Sequence, residues 1–134
     1  MIPQPISGDP CELAPRWGIS LQLAARLSLA SERIERAGLG VPLIISGFRT
    51  CEEQLALAEA GRPAAPCDKS THTRCPATGA DVWLSSADDT SSTDGIKLAA
   101  VAIAESVGLR VGGGGPVKPN GLPVDWNHWD LGPV

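Results

Sequence analysis

The chain is 134 residues long, which fits one domain, because single domains commonly run to about 100–150 residues. Hydrophobic residues make up 43% and charged residues 19%, which argues against a disordered chain, a fibre or a membrane protein. The net charge is −4 and the 11 basic residues are scattered, so we expect no nucleic-acid partner.

Targeting and membrane signals are missing from the sequence. No apolar run approaches the roughly 18–20 residues of a membrane helix. The N-terminal segment MIPQPISGDP lacks the basic start and apolar stretch of a signal peptide. We therefore expect no membrane insertion and no signal peptide, and we also expect a monomer.

The first predicted elements are a helix and a strand. Residues 1–18 are expected to form an N-terminal extension that packs on the domain. From about residue 19 to residue 37, apolar side chains recur at three- and four-residue steps, which predicts a core-facing helix that ends at two glycines. Residues 41–45 are rich in β-branched side chains and predict a buried strand that leads to Arg49.

A second helix is predicted to follow at once. Thr50 is expected to cap it, because Glu53 stands at the capping-box position and strong helix formers continue to residue 60. Residues 61–79 show no periodicity and predict a long loop, and long ordered loops in compact domains are usually functional. A strand is predicted to resume at residues 82–84.

The C-terminal third predicts one more helix and two strands. Asp94 is expected to cap a helix over residues 95–107. Strands are predicted at residues 109–111 and 126–131, with a Gly- and Pro-rich stretch between them. This order predicts a single α+β domain over 1–134, with helices outside a mostly antiparallel sheet.

The candidate chemistry depends on two histidines. The sequence has only His72 and His128, and each lies beside carboxylates and small residues. Asp81 follows His72 by nine positions at the start of a predicted strand. Two histidines and one carboxylate with an open fourth position are typical of catalytic zinc, so these three residues are predicted to bind one Zn²⁺ ion.

A further carboxylate, Asp125, precedes His128 by three positions in the motif DWNHW. In a uniform strand the side chains of Asp125 and His128 would point to opposite faces. A shared site therefore requires a turn at Trp126 or Asn127.

Four motifs together carry a family resemblance. They are SGFRT with a following Gln54, SxH, a small-residue approach to Asp81, and DxxHW. Over roughly residues 41–131 the chain resembles the M15 peptidases, which are D-Ala-D-Ala carboxypeptidases and L-alanyl-D-glutamate endopeptidases. The resemblance implies a hedgehog/DD-peptidase-like fold and hydrolysis of peptidoglycan stem peptides, with endopeptidase favoured over carboxypeptidase. It also implies a phage-encoded or secreted enzyme that acts on the bacterial cell wall.

The resemblance assigns roles to individual residues. It implies zinc ligation by His72, Asp81 and His128 and a general-base role for Asp125. Arg49 is expected to stabilise the developing oxyanion or to grip a substrate carboxylate. The spacing departs from the family pattern SxHxxGxAxD, because two extra residues separate the first histidine from the aspartate.

Three further residues are candidate substrate contacts. Ser70 is expected either to hydrogen-bond the substrate or to orient His72, and Gln54 belongs to the SGFRT motif region. Trp126 is expected either to shape a substrate groove or to pack in the core. Asp130 is a candidate for orienting a metal ligand.

The four cysteines are compatible with two disulfides in an oxidising place. Connectivity does not follow from the sequence, and the working expectation is Cys67 with Cys75 and Cys11 with Cys51. A structural zinc site made by Cys67, His72 and Cys75 is one alternative. Another is a non-catalytic zinc-containing binding module on the same fold.

Overall fold

The structure is a computed structural model that describes residues 2–6, 8–62 and 64–133. Four helices and five strands carry the fold within these ranges. In chain order they are β1 (Gln4–Pro5), α1 (Pro10–Trp17), α2 (Leu21–Arg36), β2 (Pro42–Ser46), α3 (Cys51–Glu59), β3 (Gly79–Leu84), α4 (Asp94–Ser106), β4 (Arg110–Val111) and β5 (His128–Asp130). None of the described helices is long and apolar enough to cross a membrane.

The sheet has the order β1-β2-β3-β5-β4, and all four of its strand pairs are antiparallel. Because side chains alternate along a strand, one face of the sheet buries Ala80, Val82 and Leu84 in the core with Trp129. The other face of β3 carries Gly79, Asp81 and Trp83. These observations confirm the predicted α+β class and antiparallel sheet.

Helix α2 confirms the prediction for residues 19–37. Its first turn is capped by Ser20, whose side chain accepts a hydrogen bond from the N–H of Leu23. The apolar stripe that includes Leu27 and Ile34 is fully buried. Helix α2 packs against both α4 and β2, so the core lies between the helices and the sheet.

Helix α1 is a difference from the sequence prediction, which gave the first 18 residues only as an extension. Asp9 caps the helix by accepting from the N–H of Cys11, and Pro10 occupies a position at the helix start where its missing N–H costs nothing. Leu13 and Trp17 are buried in the core. The helix therefore belongs to the packed domain. Its internal Pro15 lowers the helix propensity of the segment, so propensity alone does not predict a helix here.

The remaining elements match the predictions in part. The capping box of Thr50 and Glu53 is present at the start of α3. Asp94 is not the cap of α4: it is the first helical residue, and its carboxylate accepts hydrogen bonds from Lys118 and Asn120. Strand β5 is shorter than predicted, because residues 124–127 form a turn.

Candidate metal centre

Two of the predicted ligands are direct neighbours across the sheet. The register of β3 and β5 places Asp81 opposite His128 and Gly79 opposite Asp130. Residues opposite one another on antiparallel strands have Cβ atoms about 4.5–5.5 Å apart on the same face. The register therefore brings the carboxylate and the imidazole together without any help from loops.

The third predicted ligand, His72, arrives from the loop between α3 and β3. Its Nδ1 donates to the carbonyl oxygen of Gly47 over 2.7 Å, and its backbone N–H donates to the Oγ of Ser70 over 3.1 Å. The carbonyl oxygen of His72 accepts from the N–H of Arg49 over 2.8 Å. With Nδ1 used as a donor, the lone pair of Nε2 is left to face the strands.

The three ligand atoms converge. His72 Nε2 lies 3.2 Å from His128 Nδ1, and each of these nitrogens lies 3.3 Å from Asp81 Oδ1. A tetrahedral ion with ligand bonds of about 2.0–2.1 Å separates its ligands by about 3.3–3.4 Å. The donor set and its spacing thus fit a zinc-sized cation, and among the described residues this group could hold a metal ion.

The second nitrogen of His128 is also fixed. Its Nε2 lies 2.8 Å from Oδ2 of Asp130, which is fully buried. Arg110, directly opposite on β4, donates from Nε and Nη2 to the two oxygens of Asp130 over 2.9 and 2.7 Å. A carboxylate behind a histidine ligand fixes its tautomer and ring orientation. The candidate role of Asp130 in orienting a ligand agrees with this contact.

The surroundings of the cluster set the charges of two of its candidate ligands. Burial would raise the pKa of Asp81, but the close contact of its carboxylate with His128 and the charge of Arg49 hold it well below its ordinary value. Burial would lower the pKa of His128, yet its hydrogen bonds to Asp130 and Asp81 raise it to about 9. The Asp81 carboxylate is therefore ionised, and His128 carries a proton that a cation would displace.

Asp125 lies on the turn that precedes β5, as the sequence required for a shared site. Its carbonyl oxygen accepts from the N–H of His128 over 3.1 Å, which closes the turn. Burial, with the nearby charge of Asp81, raises the pKa of Asp125 above its ordinary value. Its carboxylate has no hydrogen-bond partner within the described part of the chain. A carboxyl group with a raised pKa and free oxygens can exchange protons with a reacting group.

Arg49 is held by hydrogen bonds beside the candidate metal-binding cluster. Its Nη2 donates to Asp81 Oδ2 over 2.5 Å, Nη1 to Gln54 Oε1 over 3.2 Å and Nε to Ser46 Oγ over 3.2 Å. One oxygen of Asp81 thus faces both histidines while the other is held by the guanidinium. The structure gives Arg49 a positioning role, and its contact with an oxyanion or a substrate carboxylate stays a prediction.

The other predicted substrate contacts lie inside the protein. Gln54 is only 3% exposed, and its amide group donates to the carbonyl oxygen of Ala65 and accepts from Arg49. Ser70 is buried and orients the backbone of His72, which is the second of its two predicted roles. Trp126 packs on Trp83 in the core instead of lining a groove. In this structure these three side chains serve positioning and packing, and their direct contact with a substrate stays a prediction.

The expected cysteine pairing was wrong. The structure joins Cys51 to Cys67, with Cα atoms 5.3 Å apart, while Cys11 and Cys75 are free and exposed. The bridge connects the first turn of α3 to a short 3₁₀ helix at Cys67–Lys69. Since Cys67 is oxidised and Cys75 is exposed, the alternative zinc site of Cys67, His72 and Cys75 loses a ligand.

The packing roles of two glycines in the quoted motifs, and the part played by Arg110, were not predicted. A Cβ on Gly79 would collide with the side chain of Thr71 and lie 3.1 Å from Cε1 of His128, and one on Gly47 would collide with the carbonyl oxygen of Trp17. An isolated glycine in a strand pattern can signal such a close approach. No pattern in the sequence signalled Arg110, because its role depends on pairing with β5.

No protein-family model matches this sequence, and no curated protein matches it.

Proposed function

We propose that this protein is a zinc-dependent peptidase that hydrolyses a peptide bond in bacterial peptidoglycan stem peptides. The observation that carries the proposal is the spacing of 3.2–3.3 Å among His72 Nε2, His128 Nδ1 and Asp81 Oδ1, with the unpaired carboxylate of Asp125 on the adjoining turn. Three protein ligands and an open position are what a catalytic zinc site needs.

The residues around the cluster have separate tasks under this proposal. Gly47 and Asp130 turn the two imidazoles inward, and Arg49 aims one oxygen of Asp81 at them. Zinc bound there would polarise the scissile carbonyl and lower the pKa of an attacking water towards about 7. Asp125 would take a proton from the water and later give it to the leaving amine.

The substrate and setting are proposed from the motif resemblance. The hedgehog/DD-peptidase-like fold, the peptidoglycan partner and action on the bacterial cell wall by a phage-encoded or secreted enzyme all have this support. Endopeptidase activity is favoured over carboxypeptidase activity because the proposed base is Asp125 rather than a glutamate.

Mass spectrometry of digested peptidoglycan tests the proposal directly. The zinc-loaded protein is expected to release peptides with new termini, and a chelator is expected to abolish their release until zinc is restored. Asp125→Ala should lose about 10²–10⁴-fold in rate while it keeps zinc. His72→Ala should lose the metal. Stoichiometric zinc in a protein that cleaves no muropeptide would contradict the proposal.

One observation favours the second candidate, a non-catalytic zinc-containing binding module. Nε, Nη1 and Nη2 of Arg49 all donate hydrogen bonds to groups of the protein itself, and none of these bonds goes to a position that a ligand would occupy. Asp125→Ala separates the two functions. An enzyme should lose most of its hydrolysis with this substitution. A binding module should hydrolyse nothing with or without the substitution and should keep its affinity for peptidoglycan peptides.

A further inference from the structure

A groove of about 570 Å³ opens beside the metal cluster, a volume within the range of about 300–1,000 Å³ that ligand sites occupy. Asp81 and Arg49 line it, and so do residues of α3 and the chain just beyond it. We call it the α3 groove, and define it by Phe48, Arg49, Glu53, Leu57, Arg62 and Asp81. It is continuous with the centre, because Asp81 belongs to both.

The α3 groove has one cation with no partner in the described ranges. Arg49 is paired with Asp81. Glu53 accepts a hydrogen bond from the N–H of Thr50 as part of the capping box, which lowers its pKa. Arg62 is exposed, and within the described ranges its guanidinium makes no ion pair or hydrogen bond. Its backbone N–H donates to the carbonyl oxygen of Leu57, which fixes where the side chain begins.

The walls of the α3 groove include apolar surface. Phe48 is 39% exposed although it is large and hydrophobic, and Leu57 is half-buried beside it. A groove with apolar walls, a metal cluster and a free guanidinium is complementary to an extended peptide that carries a carboxylate. Arginine is suited to this, because its planar fork can donate two parallel hydrogen bonds to one carboxylate.

We infer that Arg62 binds a carboxylate of the substrate peptide and that the α3 groove holds the peptide segment on one side of the scissile bond. The inference rests on the proposed peptidase function. In a stem peptide the carboxylate can be the free α-carboxylate of D-glutamate or the C-terminal carboxylate. Both offer the same chemistry to Arg62, and amidation of one or the other distinguishes them.

Calorimetric binding of three synthetic peptides tests the inference. The probes are L-Ala-γ-D-Glu-L-Lys-D-Ala, the same peptide with D-isoglutamine, and the same peptide with a C-terminal amide. Binding is measured on the zinc-loaded Asp125→Ala protein, because this variant lacks the proposed base and should not hydrolyse the peptides during the measurement. The peptide whose amide replaces the carboxylate that Arg62 binds is expected to bind about tenfold more weakly than the peptide with both carboxylates. This ratio is expected for the loss of one charge-assisted hydrogen bond.

Arg62→Gln is expected to abolish that preference, and the matched variant Arg33→Gln, an exposed arginine on α2 outside the groove, is expected to keep it. In hydrolysis by the otherwise native protein, Arg62→Gln should raise KM for the acid peptide and leave kcat nearly unchanged. A preference that survives Arg62→Gln overturns the inference. So does equal binding, or no binding, of all three peptides by the protein with Arg62.

The outcome for Arg62 is separate from the outcome for the enzyme. If the native protein hydrolyses none of the peptides but the carboxylate preference depends on Arg62, the peptidase proposal fails and the carboxylate site stands. If the peptides are hydrolysed and the preference is independent of Arg62, the peptidase proposal stands and the carboxylate site fails.

Discussion

The two sides of the candidate metal centre position their side chains by different means. On the strand side, the pairing of β3, β5 and β4 puts Asp81 opposite His128 and Arg110 opposite Asp130, so the sheet register alone sets the neighbours. On the loop side, His72 belongs to no strand, and individual hydrogen bonds to Gly47, Ser70 and Arg49 hold it. The contrast shows that a ligand outside regular structure needs its own set of local constraints.

The loop side supplies those constraints at several points. Thr73 donates from its hydroxyl to the carbonyl oxygen of Cys67 over 2.6 Å, and the N–H of Thr78 donates to the carbonyl oxygen of Thr71 over 3.0 Å. Gln54 donates to Ala65 over 2.9 Å, and the disulfide joins Cys67 to α3. The segment between His72 and Asp81 is held by these contacts, so the two side chains converge.

The largest loss of zinc affinity is expected from Gly79→Ala, since Gly79 lies where the two sides meet. Its new Cβ would collide with Thr71 on the loop side and approach His128 on the strand side. Overpacking of this kind typically costs about 1–3 kcal/mol of stability. Zinc affinity, measured by competition with a chelating indicator, should fall by more than the roughly 10–100-fold loss typical of an outer-shell change.

Gly95→Ala is the matched control, because a Cβ at Gly95 meets no atom within 4 Å. It lies in α4, where alanine is the better helix former, so stability should hold or rise. Native zinc affinity in Gly79→Ala would contradict the view that the two sides require this close contact.

A smaller loss is expected from Asp130→Asn, which acts on the strand side alone. The amide cannot accept from both Arg110 and His128 as the carboxylate does, and its NH₂ group would face one of these donors. Zinc affinity should fall by about 10–100-fold. Asp89→Asn, an exposed acid outside the centre, should leave zinc affinity unchanged, and an equal loss in both variants would show a general charge effect instead.

The fold was predictable where local pattern and tertiary packing agree. The stripe of α2 and the capping box of Thr50 and Glu53 are local signals, and both elements are present as expected. Helix α1 was not predicted, because a proline inside a short segment lowers its helix propensity by more than the capping residues raise it. The cap of α4 was misassigned because Asp94 is held by residues of a distant loop.

The site was predictable to the level of ligand types but not of their supports. The sequence selected His72, Asp81 and His128 because few residue types bind metals, and the structure brings these three side chains together as a possible metal-binding cluster; the turn at Asp125 followed from strand geometry. The pairing of Arg110 with Asp130 depends on strand order, which no local pattern encodes. Cysteine connectivity depends on how the loop folds back on α3, and the expected pairs failed for that reason.

The smallest change in zinc affinity is expected when the disulfide is removed by replacing Cys51 and Cys67 with serine. A bridge over 16 residues should contribute about 3 kcal/mol to the free energy of unfolding, mainly by restricting the unfolded chain. His72 keeps its hydrogen bonds to Gly47 and Ser70, so zinc affinity should change less than in Asp130→Asn. Denaturant unfolding and zinc titration measure the two effects, with Cys11→Ser as the control at a free, exposed thiol. Loss of zinc binding at unchanged stability would mean that the bridge, and not the local hydrogen bonds, positions the loop ligand.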